Sequence, residues 1–444
     1  DLIGTHMRID GTVNLSRYME QEGRAFTNPN LDLADFMNLE FSQDDQGNQL
    51  QLPDQQFANL YWFRHDWFTR DDIKSQFIAF TRAKYGAAGQ YELGVPVNWA
   101  AYEDIAQFFS ETKIDGKKVY GHLDYGKKSP SLGWRFTDSW LAIAGVGDKG
   151  LPNGHPVDEW GIRVNENIPV GSSVSRGGAV NSPAAIYALQ KYIDWLKRYA
   201  PPEAINWRWE DAGPKAARGD VAQRIFQYIT WLSNEEFTRP GSPMLDADGN
   251  PVWRVAPTPH GRYWEEGMKV GYQDAGSWTI PKSVKGSKRN AAWLWAQFCV
   301  SKTVSVDKFI IGGTPVRKST LHSEYVQLNK KKWGGIVEFY TSKQEKLWTD
   351  SGLNVPHYPL LSKVWWPQIS LALKGKQSAK QSMDNIAMRQ DTILQGLNMT
   401  RLSPKLNDPE AESVWLKRPG APKEARERSI PKTIPYAELI KQWQ

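Results

Sequence analysis

Strand-length apolar runs and helix-spaced apolar residues take turns along this chain, and that alternation is the tightest constraint on its fold. The dense run Leu60, Tyr61, Trp62, Phe63, in the stretch 51–68 that begins near Pro53, predicts a buried strand, with Arg64, His65 and Asp66 opening a polar turn after it. Behind Asn98 the positions Trp99, Tyr102, Ile105 and Phe108 recur at helical spacing, and Asn98 is placed to cap them. Lys118 to Leu123 predicts a strand, and Ser139 to Ala144 a short helix. Ser182 and Pro183 supply a cap and a first helical residue for a helix running to Tyr199, stopped by Pro201 and Pro202. Thr279 and Ile280 after Trp278 read as a strand, and Asn290 to Phe298 as a helix. Leu360 to Leu373, ended by Gly375, and Ser378 to Leu394 read as two more helices. This order predicts an α/β class.

The 444 residues exceed one ordinary core, so two or three packing units are expected. Hydrophobic residues at 40% and charged residues at 23% suit a globular chain and exclude a disordered or fibrous one. The 21 Trp are unusual. Most such indoles fill core, but flat aromatic platforms with a polar edge also serve sites that bind the CH faces of sugars. The charge of +6 is scattered, without a basic run interleaved with aromatics, so nucleic acid is not an expected partner. A single cysteine, Cys299, rules out an internal disulfide framework; it suits an exported protein of a Gram-negative periplasm and equally a cytosolic one. No window approaches the roughly 18–20 apolar residues that span a bilayer. The chain starts at Asp1 in what reads as folded sequence, with no signal peptide, so a preceding portion is expected to have been removed.

Motifs that carry chemistry are missing. Seven scattered histidines include no i,i+3 or i,i+4 pair, so neither a metal nor a cofactor is expected. There is no nucleophile elbow, Walker loop or GxGxxG opening a helix after a strand. Asp246, Asp248 and Asn250 alternate as in a calcium loop, but its distal Glu is missing, so a plain turn between Met244 and Val252 is predicted. Glu265 with Glu266, Asp158 with Glu159 and Glu210 with Asp211 are adjacent carboxylates. Neighbours in a strand point apart, which is not the geometry of a glycoside hydrolase, the rival reading for an aromatic-rich chain.

Three stretches together resemble the carbohydrate-type (family 1) extracellular solute-binding proteins. They are LPDQQFANLYWFRHDWF (52–68) with GVPVNWAAYEDIAQFF (94–109), then RGDVAQRIFQYI (218–229), then GYQDAGSWTIPKSVKGSKRNAAWLWAQF (271–298) with GGTPVRKS (312–319). LALKGKQSAKQSMDNI (371–386) is similar to the family's closing helix. GHLDYGKKSPSLGWRFTDSW (121–140) and the terminal IPYAELIKQW (434–443) look most like binding components of bacterial glycerol importers. One departure is that the strand and helix pair with which family members begin has no counterpart before Asp1.

The resemblance implies a two-lobed periplasmic binding protein of type II, maltose-binding-protein-like, with hinge strands and a ligand cleft between lobes. Lobe 1 would take 1–56 and 258–313, lobe 2 would take 57–257 and 314–402, and 403–444 would form an extended Pro-rich tail. The implied function is capture of a small polyol or sugar, glycerol favoured, by a periplasmic monomer that delivers it to ABC permease subunits and is no enzyme. Hydroxyls need hydrogen-bond partners and CH faces need aromatic ones. On that basis the candidate ligand residues are Asp54 and Gln56 at the crossing, Trp134 and Asp138, Gln227 and Tyr228, the glycine turn Gly276, Ser277 and Trp278, and finally Gly313, Arg317 and Tyr358.

Overall fold

The computed structural model describes residue 6 and residues 9–44, 46–146, 160–165, 168–225, 232, 235–266, 268, 272–344, 349–350, 357–396 and 429–443. Twelve strands lie in these residues: β1 Leu52–Ala58, β2 Tyr61–Arg64, β3 Val95–Pro96, β4 Lys113–Ile114, β5 Lys117–Lys118, β6 Arg163–Asn165, β7 Ile168–Gly171, β8 Gln223–Arg224, β9 Trp253–Ala256, β10 Tyr272–Trp278, β11 Thr349–Asp350 and β12 Thr433–Ile434. No described helix is long and apolar enough to cross a membrane.

Apolar burial sorts into two cores. The smaller gathers Val13, Leu15, Tyr18, Leu31, Phe36 and Leu52 with Ile280, Trp293, Ala296, Val300 and Val316, so two distant stretches of chain build it together. The larger runs from Met37 to Trp443. β1 lies antiparallel to β10, Leu52 opposite Trp278 and Ala58 opposite Gln273, with a register shift between Pro53 and Gln55. Pro53 has no N–H to give a ladder, which suits an irregular start. After the two linking residues Asn59 and Leu60 the chain enters β2, the middle strand of the order β8-β2-β9. All four side chains of β2 are buried, as expected of a strand covered on both faces.

Helices begin and end where local chemistry dictates. Asn98 caps Trp99–Glu111, its Oδ1 accepting from the Ala101 N–H at 3.0 Å. Ser182 caps Pro183–Arg198, and Ser378 forms a reciprocal capping box with Gln381 at the head of Ala379–Gln395. The Asn98 Nδ2 also donates to the Ile430 carbonyl at 2.7 Å. Asn98→Ala removes both contacts and is expected to cost about 1–2 kcal/mol, read as a lower denaturation midpoint.

Several sequence expectations give way. His65, expected in a turn, opens a short helix His65–Thr69, because the Arg64 fork grips Asp66 and turns Trp67 and Phe68 into the core. Beyond Lys118 the predicted strand reduces to a single bridge from Tyr120 to Val221. Gly121 there lies against the neighbouring helix so closely that a Cβ would stand 1.9 Å from the Ala106 carbonyl oxygen. The helix expected at Ser139 starts earlier, at Pro130, and continues through a wide turn of seven residues, Arg135–Leu141, to Ala144. Gly286, not Asn290, begins the next predicted helix. Asp246 to Gly249 is a turn as expected, closed by Asp246 Oδ1 accepting from the Asp248 and Asn250 N–H groups.

The C-terminus also departs from an extended tail. β12 pairs antiparallel with β3, and helix Tyr436–Trp443 buries Leu439 and Trp443. Tyr436 meets the Phe63 ring edge-on at 5.4 Å and Trp443 meets Phe339 at 5.7 Å. The apolar pattern of YAELIKQW reaches an unfilled core edge, and burial outweighs the extended preference of the prolines around it. Residues 403–428 lie outside the described residues.

Candidate functional site

β1 carries the first two candidates. Asp54 pairs with Lys308, from helix Lys302–Ile310. Gln56 is fully buried; its Nε2 donates to the Met37 carbonyl at 3.0 Å and its Oε1 accepts from Asn38 Nδ2 at 3.4 Å. Its backbone carbonyl accepts from the Tyr340 hydroxyl at 3.2 Å, which in turn accepts from the Ala58 N–H at 3.2 Å. Tyr340 thus pins the strand just before it crosses from the smaller core to the larger. Beside this junction a groove of about 590 Å³ is lined by Phe36, Met37, Asn38, Leu321, Tyr340 and Ser342. That volume is in the range of small-molecule sites, although none of its lining residues was a ligand candidate in the sequence.

Gly276, Ser277 and Trp278 form no turn. They lie in β10, facing Gln55, Pro53 and Leu52, and a Cβ on Gly276 would meet the Phe57 ring at 3.3 Å. The missing side chain therefore serves strand packing at that point. Trp278 ends the strand with its side chain 36% exposed. Gly313 closes the preceding helix: its N–H donates to the Lys308 carbonyl at 2.7 Å, and a Cβ would stand as close to that same oxygen, at 2.7 Å.

Arg317 is fully buried, and its fork is taken up inside the smaller core. Nε donates to the Val300 carbonyl at 2.6 Å, one terminal nitrogen to the Leu31 carbonyl at 2.8 Å, and the other to Asp35 at 3.1 Å and the Asp32 carbonyl at 3.2 Å. The guanidinium also lies 3.9 Å from the centre of the Phe36 ring. Burial pushes its pKa down, against the pull of Asp35. These contacts make Arg317 a clamp of the smaller core.

Of the remaining candidates, Tyr358 packs against the larger core and Trp134 lies half-buried beside it. Trp134 ends helix Pro130–Trp134 and meets Trp209 edge-on, centroids 6.5 Å apart. Tyr358 opens helix Tyr358–Leu373 and lies 4.9 Å from Trp160, which also touches Trp365. Those two helices pack closely, since a Cβ on Gly133 would stand 3.3 Å from the Trp365 Cβ. Trp134 with Trp209, and Tyr358 with the buried Trp160, are thus two aromatic pairs on adjoining helices, an aromatic wall in two parts. Asp138 sits in the wide turn with its side chain outside the described residues, as are Gln227 and Tyr228 altogether. Candidates from β1, β10 and Arg317 group around the smaller core, whereas Trp134 and Tyr358 group on the larger.

Sequence reasoning missed Trp209, although the pair Trp207 and Trp209 flanking Arg208 was a signal. It also missed a polar cluster beneath the wall. Asp124, fully buried, accepts from Arg135 Nε at 2.9 Å and its terminal nitrogen at 2.7 Å, from the Tyr192 hydroxyl at 3.3 Å and from the Tyr125 N–H at 2.9 Å. Burial raises the Asp124 carboxyl pKa, but Arg135 outweighs it and the net shift is downward. His122 shares a 2.6 Å hydrogen bond with the Tyr102 hydroxyl, and burial holds it neutral, its pKa lowered to about 3.

Among the described residues no cluster of His, Cys, Asp and Glu could hold a metal. Two adjacent carboxylate pairs can be followed. Glu265 is buried while Glu266 is exposed, and Asp211 caps the Arg208 N–H at 2.9 Å in the first turn of Trp209–Lys215.

No protein-family model matches the sequence, and no curated protein matches it. Solved structures do match the fold. A solute-binding protein of an ABC transporter from Agrobacterium radiobacter K84, in complex with ribitol, superposes with a TM-score of 0.62 at 19% identity, covering 88% of this chain and 82% of that one. Maltose-bound MalE3 of T. maritima gives 0.58 at 18% identity over 87% of this chain and 81% of that one. UgpB from Mycobacterium tuberculosis, in complex with glycerophosphocholine, gives 0.58 at 15% identity over 89% and 82%. The chain thus has the two-lobed α/β fold of MalE-like periplasmic binding proteins.

Proposed function

We propose that this chain is the solute-binding component of an ABC importer, and that it captures a small polyol or sugar and hands it to membrane permease subunits outside the cytoplasm. The observation that carries this reading is the crossing: two cores, each built from separate stretches of chain, meet at strand β1 and its two-residue link to β2. Such a junction permits hinge closure around a ligand, and a ligand that favours the closed form shifts the population toward it. Lobe 1 would comprise 1–56 and the stretch from β10 to Arg317, a shift from the bounds expected from sequence, because Tyr263 packs in the larger core and Val316 in the smaller; lobe 2 would take the bulk of the remainder.

The aromatic wall of Trp134, Trp209 and Tyr358 supports a ligand with CH faces, with Asp138, Gln227 and Tyr228 as hydroxyl partners on the same lobe. Asp54, Gln56, Gly276, Ser277, Trp278 and Gly313 would frame the opposing side. Ribitol, D-mannitol, maltose and glycerophosphocholine accompany structural neighbours, and they favour polyols and sugars as the class to test, glycerol among them. A monomer that turns over no substrate is the working form.

A thermal-shift screen over glycerol, ribitol, D-mannitol and maltose tests the reading. A true ligand at a hundredfold its Kd stabilises by about 2.7 kcal/mol and raises the melting temperature by several degrees. The expected result is one responsive class, with aryl glycosides left intact. If no polyol or sugar moves the transition, the assignment fails.

A further inference from the structure

The helical stretch from Pro130 to Ala144 is not uniform, because a wide turn of seven residues, Arg135–Leu141, interrupts it. Such turns are rare within helices and need outside contacts to hold them open. Here Phe136, Thr137, Ser139, Trp140 and Leu141 are all buried, so a slip of one residue would turn every one of them. The first residue of the turn, Arg135, makes a two-pronged hydrogen-bonded pair with Asp124, both side chains fully buried. Asp124 is itself fixed by the Tyr125 N–H and by Tyr192, which packs edge-on against Phe136 at 6.0 Å and Trp140 at 4.9 Å.

A buried ion pair is a poor device for stability alone, since apolar residues of similar volume often hold a core as well or better. Its better-attested use is to select one register among alternatives. Trp134 immediately precedes Arg135, and its ring stands against Trp209. We propose that Asp124 and Arg135 are positioning residues for ligand recognition: their pairing fixes where the wide turn begins, and so presents Trp134 against Trp209. This rests on the solute-binding reading for its ligand arm only.

The test uses the whole chain labelled with 5-fluorotryptophan, with the Trp134, Trp209 and Trp293 fluorine resonances assigned by single Trp→Phe replacements. The double variant Asp124→Leu with Arg135→Met removes the two charges of this pair, leaves Arg224 as the buried cation beside them, and roughly keeps the volume. It is expected to fold, to displace the Trp134 and Trp209 resonances, to leave that of Trp293 in the smaller core unmoved, and to bind ribitol at least tenfold more weakly. Arg135→Lys, which keeps the charge and loses the fork, should show the same displacement to a smaller degree and is read in the same way if the double variant does not fold. Trp134 and Trp209 resonances at their wild-type positions in a folded variant overturn the proposal. So does failure of both variants to fold, because the pair would then serve stability and not register. If wild type fails to bind ribitol, the choice of ligand falls, while the resonances still decide the positioning role.

Discussion

Replacing Arg317 by Met is expected to lower folding stability by about 3–5 kcal/mol, the cost of removing one partner of a buried, hydrogen-bonded ion pair. The guanidinium ties Leu31, Asp32 and Asp35 to Val300, joining both stretches of chain that build the smaller core. Met matches much of its length but leaves three carbonyls and a carboxylate short of a donor. Urea denaturation should show a large drop in midpoint, while ligand affinity of the protein that remains folded changes little. The opposite pattern, a stable protein with weakened binding, would return Arg317 to the ligand site.

The acid limb should respond as well. Burial raises the Asp35 carboxyl pKa, but hydrogen bonds from Ser319 and Arg317 bring the net value below the usual range. A carboxyl depressed in the folded state contributes stability above its unfolded pKa, and that contribution is lost as pH falls through the folded value. Without Arg317 the depression shrinks, so the loss of stability on acidification should become shallower in the variant.

Trp134→Ala carries the second large effect, on binding. Central aromatic anchors that lose their ring commonly cost about 2 kcal/mol, roughly thirtyfold in affinity. Trp134 is only half-buried and its described ring partner is Trp209, itself on the surface, so the fold should change little. Isothermal titration with the ligand found by thermal shift supplies the affinity, and denaturation supplies the control. Wild-type affinity would remove the wall from the site and turn attention to the groove beside Tyr340.

Local chemistry made much of the fold legible. Asn98, Ser182 and Ser378 act within their own helical turns, and Gly375 ends a helix with a left-handed backbone (φ +68°) that few other residues adopt readily. What escaped reading depends on partners far away in sequence. Arg317 looks equally suited to a ligand or to a core clamp until the Leu31 carbonyl, 286 residues distant, is seen to accept its hydrogen bond. Gly276 suggests a binding turn until β1 is laid beside it. The wide turn at Arg135 has no local signature, because the carboxylate that meets it lies 11 residues upstream across a loop. Two-lobed organisation came from resemblance, and periodicity alone implied only that more than one core was needed.

The C-terminal strand and helix bear on how the molecule is made. Asn98 and Ile430, joined by a hydrogen bond, are 332 residues apart, and the larger core counts Trp443 among its members. Contacts of such separation must close a very long loop before they are rewarded, which slows folding. Synthesis at about 5–20 residues per second leaves the larger core incomplete until Trp443 has been added. The growing chain is thereby kept from early collapse into its final form, a property that would suit the proposed role, in which the chain crosses a membrane before it folds.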